Sequence, residues 1–223
     1  MDGPGYEPWE RGLLEQGVLR LTMTMWCAIR TFVKHAEELG NEATEDPVVF
    51  VKPTNCLHGS GPLPVSQHPG EMHHEVECVV KLGQNFQPVA IGVGLDMTDR
   101  AAQSSLRALQ YPWAKGKTFR SSAVVGSMEP WSGTFDDLVE PGEGFRLLLW
   151  VNGEERQNAH LSEMSVPPSA QMKELLSWAP LQAHDLLFTG TPQGVGQVHP
   201  GDEIRAQLLQ HERVVSEITV SCE

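Results

Sequence analysis

The chain has 223 residues, of which 40% are hydrophobic and 20% are charged, and its formal net charge at pH 7 is −13. This length and composition are typical of a globular protein with a substantial core. The acidic balance disfavours a nucleic-acid partner, because proteins that bind the phosphate backbone are usually basic.

The first half of the chain predicts one helix followed by short strands. The segment TFVKHAEEL has helical composition and is followed by Gly40, which predicts a helix over residues 31–39. Valine-rich segments predict strands over 47–53 and 72–82. A loop rich in Gly and Pro, residues 58–70, separates these two strands.

The second half alternates short strands with two helices. A strand over 89–97 is followed by a helix over 98–110, for which Thr98 is the candidate cap. The dipeptide Asn152-Gly153 predicts a β-hairpin over 145–157. A further helix is predicted over 169–179, and a strand that leads into a turn-rich loop over 185–196. Two strands with alternating hydrophobic and polar residues are predicted over 202–209 and 213–222.

Many short strands and about three helices predict a mixed α/β fold that is rich in β-structure, with a few helices packed outside. Residues 1–24 are predicted to be an N-terminal lead-in, and residues 25–223 a single domain. The sequence shows no repeat, no low-complexity tract and no clear linker that would divide this domain.

Several features predict a cytoplasmic protein with no membrane partner. No stretch of about 18 consecutive apolar residues is present, so no membrane span is expected. The polar, acidic N-terminus lacks the basic and apolar regions of a signal peptide. The four cysteines form no C-x-x-C pair and have no zinc-finger spacing, which predicts free thiols in a reducing compartment. They are Cys27, Cys56, Cys78 and Cys222.

Glu75 and Glu77 stand two residues apart in the predicted strand MHHEVECVV. Such residues share one face of a strand, and two carboxylates in an apolar setting repel each other unless a positive group compensates them. A hard divalent cation would do so, and Asp96 at the end of the next strand is the natural third ligand. The alternative is an exposed face with solvated glutamates, which spacing alone favours. His73 and His74 precede the glutamates and could bind the cation or support its ligands. The favoured interpretation is that they are solvent-exposed histidines at the start of the strand.

Two further candidates for chemistry are a histidine pair and a lysine. His35 and Glu38 are three residues apart on the first predicted helix, so a carboxylate can hold the imidazole in the tautomer of a general base. A solvated helix face is the alternative. Lys117 in YPWAKGKTF is a candidate for stabilising negative charge on a reacting oxygen. A surface lysine is the alternative there, and Lys115 fits the pattern equally.

Common catalytic motifs are absent from the sequence. The segment TGTPQGVG, residues 189–196, lacks the GK[ST] ending of a P-loop, which disfavours nucleotide binding. Its hydroxyl and backbone N–H groups could hold a carboxylate instead. Neither the HExxH pattern of zinc proteases nor the Gly-x-Ser-x-Gly elbow of serine hydrolases is present.

Five segments resemble the fumarylacetoacetate hydrolase family, in its short, single-domain branch of acylpyruvate hydrolases and oxaloacetate decarboxylases or tautomerases. In chain order they are HHEVE (73–77), LDMTDR (95–100), PWAKGKTF (112–119), VNGEERQ (151–157) and LLFTGTPQGVGQVHPGDEI (186–204). The resemblance covers residues 25–220. It implies a fumarylacetoacetate-hydrolase-type β-sandwich or roll with a few peripheral helices, assembled as a homodimer.

The resemblance also implies the members of the site. Ligands for Mg²⁺ (or Mn²⁺) fall on three acidic residues: Glu75, Glu77 and Asp96. The family's histidine–glutamate dyad falls on His35 and Glu38, in a helix that can act as a lid, and its pocket lysine falls on Lys117. Contacts with the substrate, a small 2-oxo acid, fall on Arg100, Gln103 and Thr191.

The implied reaction is divalent-metal-dependent cleavage of a C–C bond in a short 2,4-dioxo acid or in oxaloacetate, through a pyruvate enolate stabilised by the metal. One open alternative is an isomerase, tautomerase or decarboxylase of a 2-hydroxy-dienedioate in aromatic catabolism. Another is a metal- and ligand-binding protein with little catalysis. A departure from the family pattern supports the last one: residues 29–32 are IRTF where the family usually has Gly-x-Asn-Tyr. A second departure, Ala101 where the family usually has Asp, bears on substrate choice and rate.

Overall fold

A computed structural model describes residues 23–38, 40 and 46–223 of the chain. Most of the predicted lead-in, residues 1–24, lies outside the described residues and stays a prediction. Within these ranges no helix is long and apolar enough to cross a membrane. All four cysteines are described, and each is a buried free thiol, as the sequence predicted.

Short strands make up most of the regular structure. The strands are β1 (Thr24–Ile29), β2 (Val48–Pro53), β3 (Met72–His74), β4 (Val76–Leu82), β5 (Pro88–Asp96), β6 (Thr98–Asp99), β7 (Ala123–Val125), β8 (Glu129–Pro130), β9 (Phe145–Val151), β10 (Glu154–His160), β11 (Leu186–Phe188), β12 (Gly196–Gln197), β13 (Glu203–Gln210) and β14 (Arg213–Ser221). The α-helices are α1 (Val33–Glu38), α2 (Arg100–Ala108), α3 (Ala114–Lys117) and α4 (Pro168–Trp178).

The described strands form three sheets. The largest has seven strands in the order β2-β1-β11-β4-β5-β7, with β8 also paired to β5. Strands β1 and β11 are parallel, and the other pairs of this sheet are antiparallel. An antiparallel four-stranded sheet has the order β10-β9-β13-β14, and a small third sheet joins β12, β3 and β6.

The main core lies between the two larger sheets. Val76 and Cys78 of β4 belong to the same buried cluster as Leu147 of β9. The opposite face of the seven-stranded sheet is buried as well, by a second cluster that includes Val79 and Phe188. Because side chains alternate along a strand, both faces of β4 are therefore buried. The predicted strand-rich sandwich with few helices is confirmed.

The valine-rich strand predicted around Glu75 is interrupted. Strand β3 ends at His74 and β4 begins at Val76, so Glu75 lies between strands of two different sheets. The backbone N–H of Val76 donates to Gln157 Oε1 at 3.0 Å, so a side chain of β10 holds the break. The sequence suggested that Glu75 and Glu77 belong to one strand, but in the structure they do not. Another constraint must therefore bring the two side chains together.

One local prediction near the next helix is wrong. Helix α2 begins at Arg100, and its cap is Asp99, whose carboxylate accepts the N–H of Ala102 at 2.9 Å. The predicted cap, Thr98, belongs instead to β6, because this segment pairs with β3. Farther along the chain, Lys117 ends the short helix α3.

Other predicted elements are confirmed with small shifts of their ends. The helix predicted over 31–39 is observed as α1, and the predicted hairpin is formed by β9 and β10. At its turn, Asn152 has a φ of 53° and Gly153 a φ of 77°, both in the left-handed region. A two-residue turn of type I′ requires this conformation at both positions.

We expect Gly153→Ala to lower the free energy of unfolding by about 1 kcal/mol, because an L side chain is strained in the left-handed region. Nothing lies within 4 Å of the Cβ that would be added, so no steric clash contributes. Urea denaturation measures the change. Gly142→Ala is the matched control, since its surroundings are equally open and its φ is not in the left-handed region. Equal losses in both variants would contradict this explanation.

Candidate active site

Three carboxylates converge because of the register between β4 and β5. Glu77 lies opposite Gly94, and Asp96 follows two residues later on the same face of β5. The N–H of Asp96 donates to the backbone oxygen of Glu75 at 2.9 Å, which brings the break between β3 and β4 to the same place. One oxygen of each carboxylate lies within 4.8 Å of the other two. We call these three buried residues the acidic cluster.

Two basic side chains lie against the acidic cluster. Lys117 Nζ is 2.7 Å from Glu75 Oε2 and 2.5 Å from Asp96 Oδ2, and it donates to Thr98 Oγ1 at 2.6 Å. Arg100 forms an ion pair with the other oxygen of Glu75. Although burial raises the pKa of Glu75, Lys117 and Arg100 outweigh it and hold that pKa well below its usual range. Burial lowers the pKa of Lys117, but Asp96 and Glu75 outweigh it and raise that pKa.

Glu77 is compensated differently from Glu75. Burial raises its pKa well above the usual value, and the negative charges of Asp96 and Glu75 raise it further. The backbone N–H of Gly190 donates to Glu77 Oε2 at 2.7 Å and partly opposes this rise. The acidic cluster can therefore accept more positive charge. Its buried carboxylate oxygens are the ligands that a hard divalent cation such as Mg²⁺ or Mn²⁺ prefers.

A second buried lysine was missed by the sequence analysis. Lys52 lies on β2 at the edge of the sheet, where exposed lysines are common, so its sequence context gave no signal. Its Nζ is 2.6 Å from Asp96 Oδ1, and it donates to the carbonyl oxygens of Met97 at 3.0 Å and Ser122 at 2.5 Å. Asp96 therefore has one ammonium group on each oxygen, with Lys117 on the other side.

The predicted histidine pair is brought together on α1. His35 Nδ1 lies 3.3 Å from Glu38 Oε2. The backbone N–H of Gly194 contacts both oxygens of Glu38, at 3.1 and 3.2 Å, so the loop 189–196 holds this carboxylate. With Nδ1–H directed to Glu38, the Nε2 atom of His35 is left to accept a proton. Burial lowers the pKa of His35, which keeps the imidazole neutral at pH 7.

A cavity of about 270 Å³ opens beside the acidic cluster. Most of the predicted site residues line it: His35, Glu75, Glu77, Arg100, Gln103, Lys117 and Thr191. The two others contact lining residues, since Asp96 pairs with Lys117 and Glu38 with His35. The structure thus brings all of the predicted site residues around one cavity.

Two arginines of this cavity were not predicted. Arg107 follows Arg100 and Gln103 at helical spacing, so the three share one face of α2, and this spacing could have identified it. Arg30 belongs to the segment 29–32 that departs from the family pattern. Among the described residues, the cavity lining therefore includes three guanidinium groups.

The histidines before the glutamates are not in ordinary solvent. His74 is buried, and its Nδ1 lies 3.1 Å from Gln157 Oε1. Burial lowers its pKa. His73 is half-buried, and burial lowers its pKa to about 4. The favoured expectation of solvated histidines is wrong, because His74 is buried and His73 is half-buried. In the described ranges, neither histidine joins the group of possible metal ligands.

We expect Lys52→Met to lower the free energy of unfolding by about 3 kcal/mol, because removing one partner of a buried ion pair leaves the other under-compensated. Chemical denaturation measures the loss. The same change at the surface, Lys34→Met, is the control: Lys34 pairs with Glu163 at 3.3 Å but is 66% exposed. Its expected loss is below about 1 kcal/mol. A Lys52→Met protein as stable as the wild type would contradict the proposed compensation of Asp96.

We expect Glu77→Gln to raise the midpoint of thermal unfolding in EDTA, because it removes one of three mutually repelling carboxylates. It should also abolish the stabilisation that we expect Mg²⁺ or Mn²⁺ to give the wild type, since a bound cation stabilises only a chain that can hold it. Melting curves with EDTA and with each cation test both effects. Glu129→Gln, an exposed control, should keep the cation-dependent shift. The same shift in Glu77→Gln would refute the cation assignment.

Comparisons with known sequences agree with this geometry. A family model described as "Fumarylacetoacetate (FAA) hydrolase C-terminal" matches residues 24–219. The oxaloacetate tautomerase YcgM of Escherichia coli (strain K12) is 32% identical over 217 residues, covering 91% of this chain and 94% of its own. A mitochondrial oxaloacetate decarboxylase of Dictyostelium discoideum is 30% identical, covering 80% of this chain and 85% of its own.

Solved structures of enzymes share the fold. The fumarylpyruvate hydrolase from Pseudomonas aeruginosa, in complex with Mn²⁺ and pyruvate, has a TM-score of 0.74 and 27% identity, and 90% of each chain is covered. The 5-carboxymethyl-2-hydroxymuconate delta-isomerase from Mycobacterium smegmatis has a TM-score of 0.67 and 25% identity, over 89% of this chain and 78% of its own. The family match over residues 24–219, together with relatives that align along most of the chain, shows that this protein belongs to the fumarylacetoacetate hydrolase family.

Proposed function

We propose that this protein is a divalent-metal-dependent enzyme that interconverts the keto and enol forms of oxaloacetate. One observation carries the proposal: a histidine that is paired with a glutamate, carboxylates of the acidic cluster and three arginines line the same cavity. The Escherichia coli relative, an oxaloacetate tautomerase, supports this choice of reaction.

A dianionic 2-oxo acid suits the charge of this cavity. The acidic cluster alone would repel such a substrate, but a divalent cation together with Lys52 and Lys117 would outweigh its three carboxylates. The guanidinium groups of the lining residues add further positive charge at the cavity, and a guanidinium group is well suited to bind a carboxylate. They are Arg30, Arg100 and Arg107.

Proton transfer at C3 of the substrate is the step assigned to the dyad. A cation held by the acidic cluster would supply a Lewis acid that lowers the energy of negative charge on the 2-oxo oxygen. The neutral imidazole of His35 takes a proton from C3, and Glu38 stabilises the imidazolium that results. The electron pair of the broken C–H bond forms the C2–C3 double bond, and the π electrons of the C2–oxygen double bond move to the oxygen. The imidazolium of His35 then returns its proton to that oxygen, which completes the enol and restores the neutral base.

Other residues of the cavity hold the substrate or the acidic cluster. In this proposal the Thr191 hydroxyl and the Arg100 guanidinium bind carboxylate oxygens, and Gln103 steadies Arg100 through a hydrogen bond of 2.7 Å. Lys117 donates to Glu75, Asp96 and Thr98, which accounts for its three N–H groups. Its role is therefore to hold the acidic cluster, which differs from the stabilisation of a reacting oxygen expected from sequence.

Cleavage of a C–C bond is the second candidate function. The observation that favours it is the His35–Glu38 pair, which could activate a water for attack on a 2,4-dioxo acid. Decarboxylation of oxaloacetate needs no water, because CO₂ leaves C3 and the electron pair remains as an enolate that is then protonated. The decarboxylase of Dictyostelium discoideum and the hydrolase of Pseudomonas aeruginosa support this candidate.

One experiment separates these candidates. Purified protein with Mg²⁺ or Mn²⁺ is mixed with oxaloacetate, and enol absorbance and pyruvate release are followed together, with the free cation as the control. Faster loss of enol absorbance without pyruvate supports tautomerisation, whereas pyruvate release in step with it supports decarboxylation. Acetylpyruvate and fumarylpyruvate test hydrolysis in the same way. No acceleration with any substrate would refute an enzymatic function and favour a metal- and ligand-binding protein.

We expect the acid limb of the pH profile of kcat/KM to lie below pH 6.5, the ordinary pKa of histidine. Burial lowers the pKa of His35, so its neutral, proton-accepting form persists to lower pH than in a solvated histidine. In His35→Ala the rate should fall by about a hundredfold and this limb should disappear. The exposed His199→Ala is the control. An acid limb that persists in His35→Ala would assign it to another group.

A further inference from the structure

Gln157 uses every hydrogen-bonding position of its side chain. It is buried near the middle of β10, and its Oε1 atom accepts from the backbone N–H of Val76 at 3.0 Å and from His74 Nδ1 at 3.1 Å. Its Nε2 atom donates to Thr191 Oγ1 at 2.8 Å and to the carbonyl oxygen of Pro192 at 2.8 Å. An amide has two acceptor positions and two N–H donors, so none is left over.

The partners leave only one orientation of the amide. The N–H of Val76 can only donate, so it must face the oxygen of Gln157. The carbonyl of Pro192 can only accept, so it must face the nitrogen. Thr191 Oγ1 therefore receives an N–H and acts as an acceptor toward Gln157. By the same reasoning His74 carries its proton on Nδ1, because the oxygen of Gln157 can only accept.

This arrangement determines on which side the Thr191 hydroxyl accepts a hydrogen bond and on which side it can donate one. A hydroxyl has one proton to donate, and here the side of the oxygen toward Gln157 is already used for accepting. In the part of the chain that the structure describes, this is the hydrogen bond that Thr191 Oγ1 makes, and Thr191 lines the cavity. The O–H proton is therefore available to a group inside the cavity.

We propose that Gln157 is a positioning residue that fixes the Thr191 hydroxyl as a hydrogen-bond donor into the cavity, which selects for a ligand carboxylate at this position. The inference deepens the proposed function, and it rests on that function only for the identity of the ligand, a 2-oxo acid. A ligand group that must donate, such as an amide N–H, could use only the one lone pair of Oγ1 that Gln157 leaves, and the O–H proton would then have no acceptor on that ligand group. A carboxylate is acceptor-only when ionised, and it fits.

The same side chain also reaches the backbone between Glu75 and Glu77. The N–H of Val76 lies at the break between β3 and β4, so loss of Gln157 would release both Thr191 and this backbone group. A test must therefore separate the effect that passes through Thr191 from any effect on the acidic cluster. A double-mutant cycle does this, because a disturbance at Val76 is common to both backgrounds.

The cycle combines Gln157→Met with Thr191→Val and measures oxalate binding to the Mn²⁺-loaded full chain by calorimetry. Oxalate presents a carboxylate and an adjacent oxygen in one plane, as the enolate of a 2-oxo acid does, and it is not turned over. We expect Gln157→Met to weaken oxalate binding by about tenfold in the wild type and by less than about twofold in Thr191→Val. Gln207→Met, at another buried glutamine, should leave binding unchanged.

Equal losses in both backgrounds would overturn the proposal, because Gln157 would then act without Thr191. So would an unchanged affinity of Gln157→Met, or a wild type that does not bind oxalate. Should Gln157→Met fail to fold, Gln157→Glu enters the same cycle. It keeps an acceptor for Val76 and lacks the amide donor to Thr191, and its added charge acts in both backgrounds. A wild type that binds oxalate but accelerates no reaction would refute the proposed function and leave this inference standing.

Discussion

Three carboxylates lie buried together, with Glu77 and Asp96 on strands of the seven-stranded sheet and Glu75 at the break before β4, and the surrounding structure compensates their charge. Buried negative groups lose their hydration and repel one another, so each needs positive charge or hydrogen bonds nearby. Lys52 and Lys117 contact different oxygens of Asp96, and Arg100 contacts Glu75. Strand β2 and helices α2 and α3 are therefore tied by ion pairs to the same point of the sheet. This requirement explains why a lysine of an edge strand is buried.

The loop 189–196 connects the acidic cluster with the histidine dyad. Its backbone N–H groups donate to Glu77 at Gly190 and to Glu38 at Gly194. Both glycines have a φ in the left-handed region, 98° and 94°, which other residues rarely adopt. The hydroxyl of Thr191 lies between these two contacts in sequence. This short segment thus binds Glu77 of the acidic cluster and Glu38, the partner of His35. It also carries Thr191, a candidate for binding the substrate.

This arrangement explains how one family can carry several reactions. Tautomerisation takes the electron pair of a C–H bond, and cleavage takes that of a C–C bond, but both leave negative charge on the same 2-oxo acid fragment. In the proposed mechanisms, a divalent cation held by the acidic cluster would stabilise this charge in each case. Relatives with similar identity to this chain accordingly include a tautomerase, a decarboxylase and a hydrolase. The proposals for this chain depend on His35, because it is the proposed base of the first reaction and the proposed activator of water in hydrolysis.

The sequence by itself determined the strand-rich fold, helix α1 and the hairpin at Asn152-Gly153, because alternation, helix stops and turn chemistry depend on neighbouring residues. Motifs in family order also identified the predicted members of the site, which the structure brings around one cavity. The sequence did not reveal the burial of Lys52, the hydrogen bonds of Gln157 or the break in the strand at Glu75. These features depend on contacts between segments far apart in the chain. Only the packing of β2, β4, β5 and β10 decided them, because burial and hydrogen-bond partners are properties of the assembled sheets and not of local sequence.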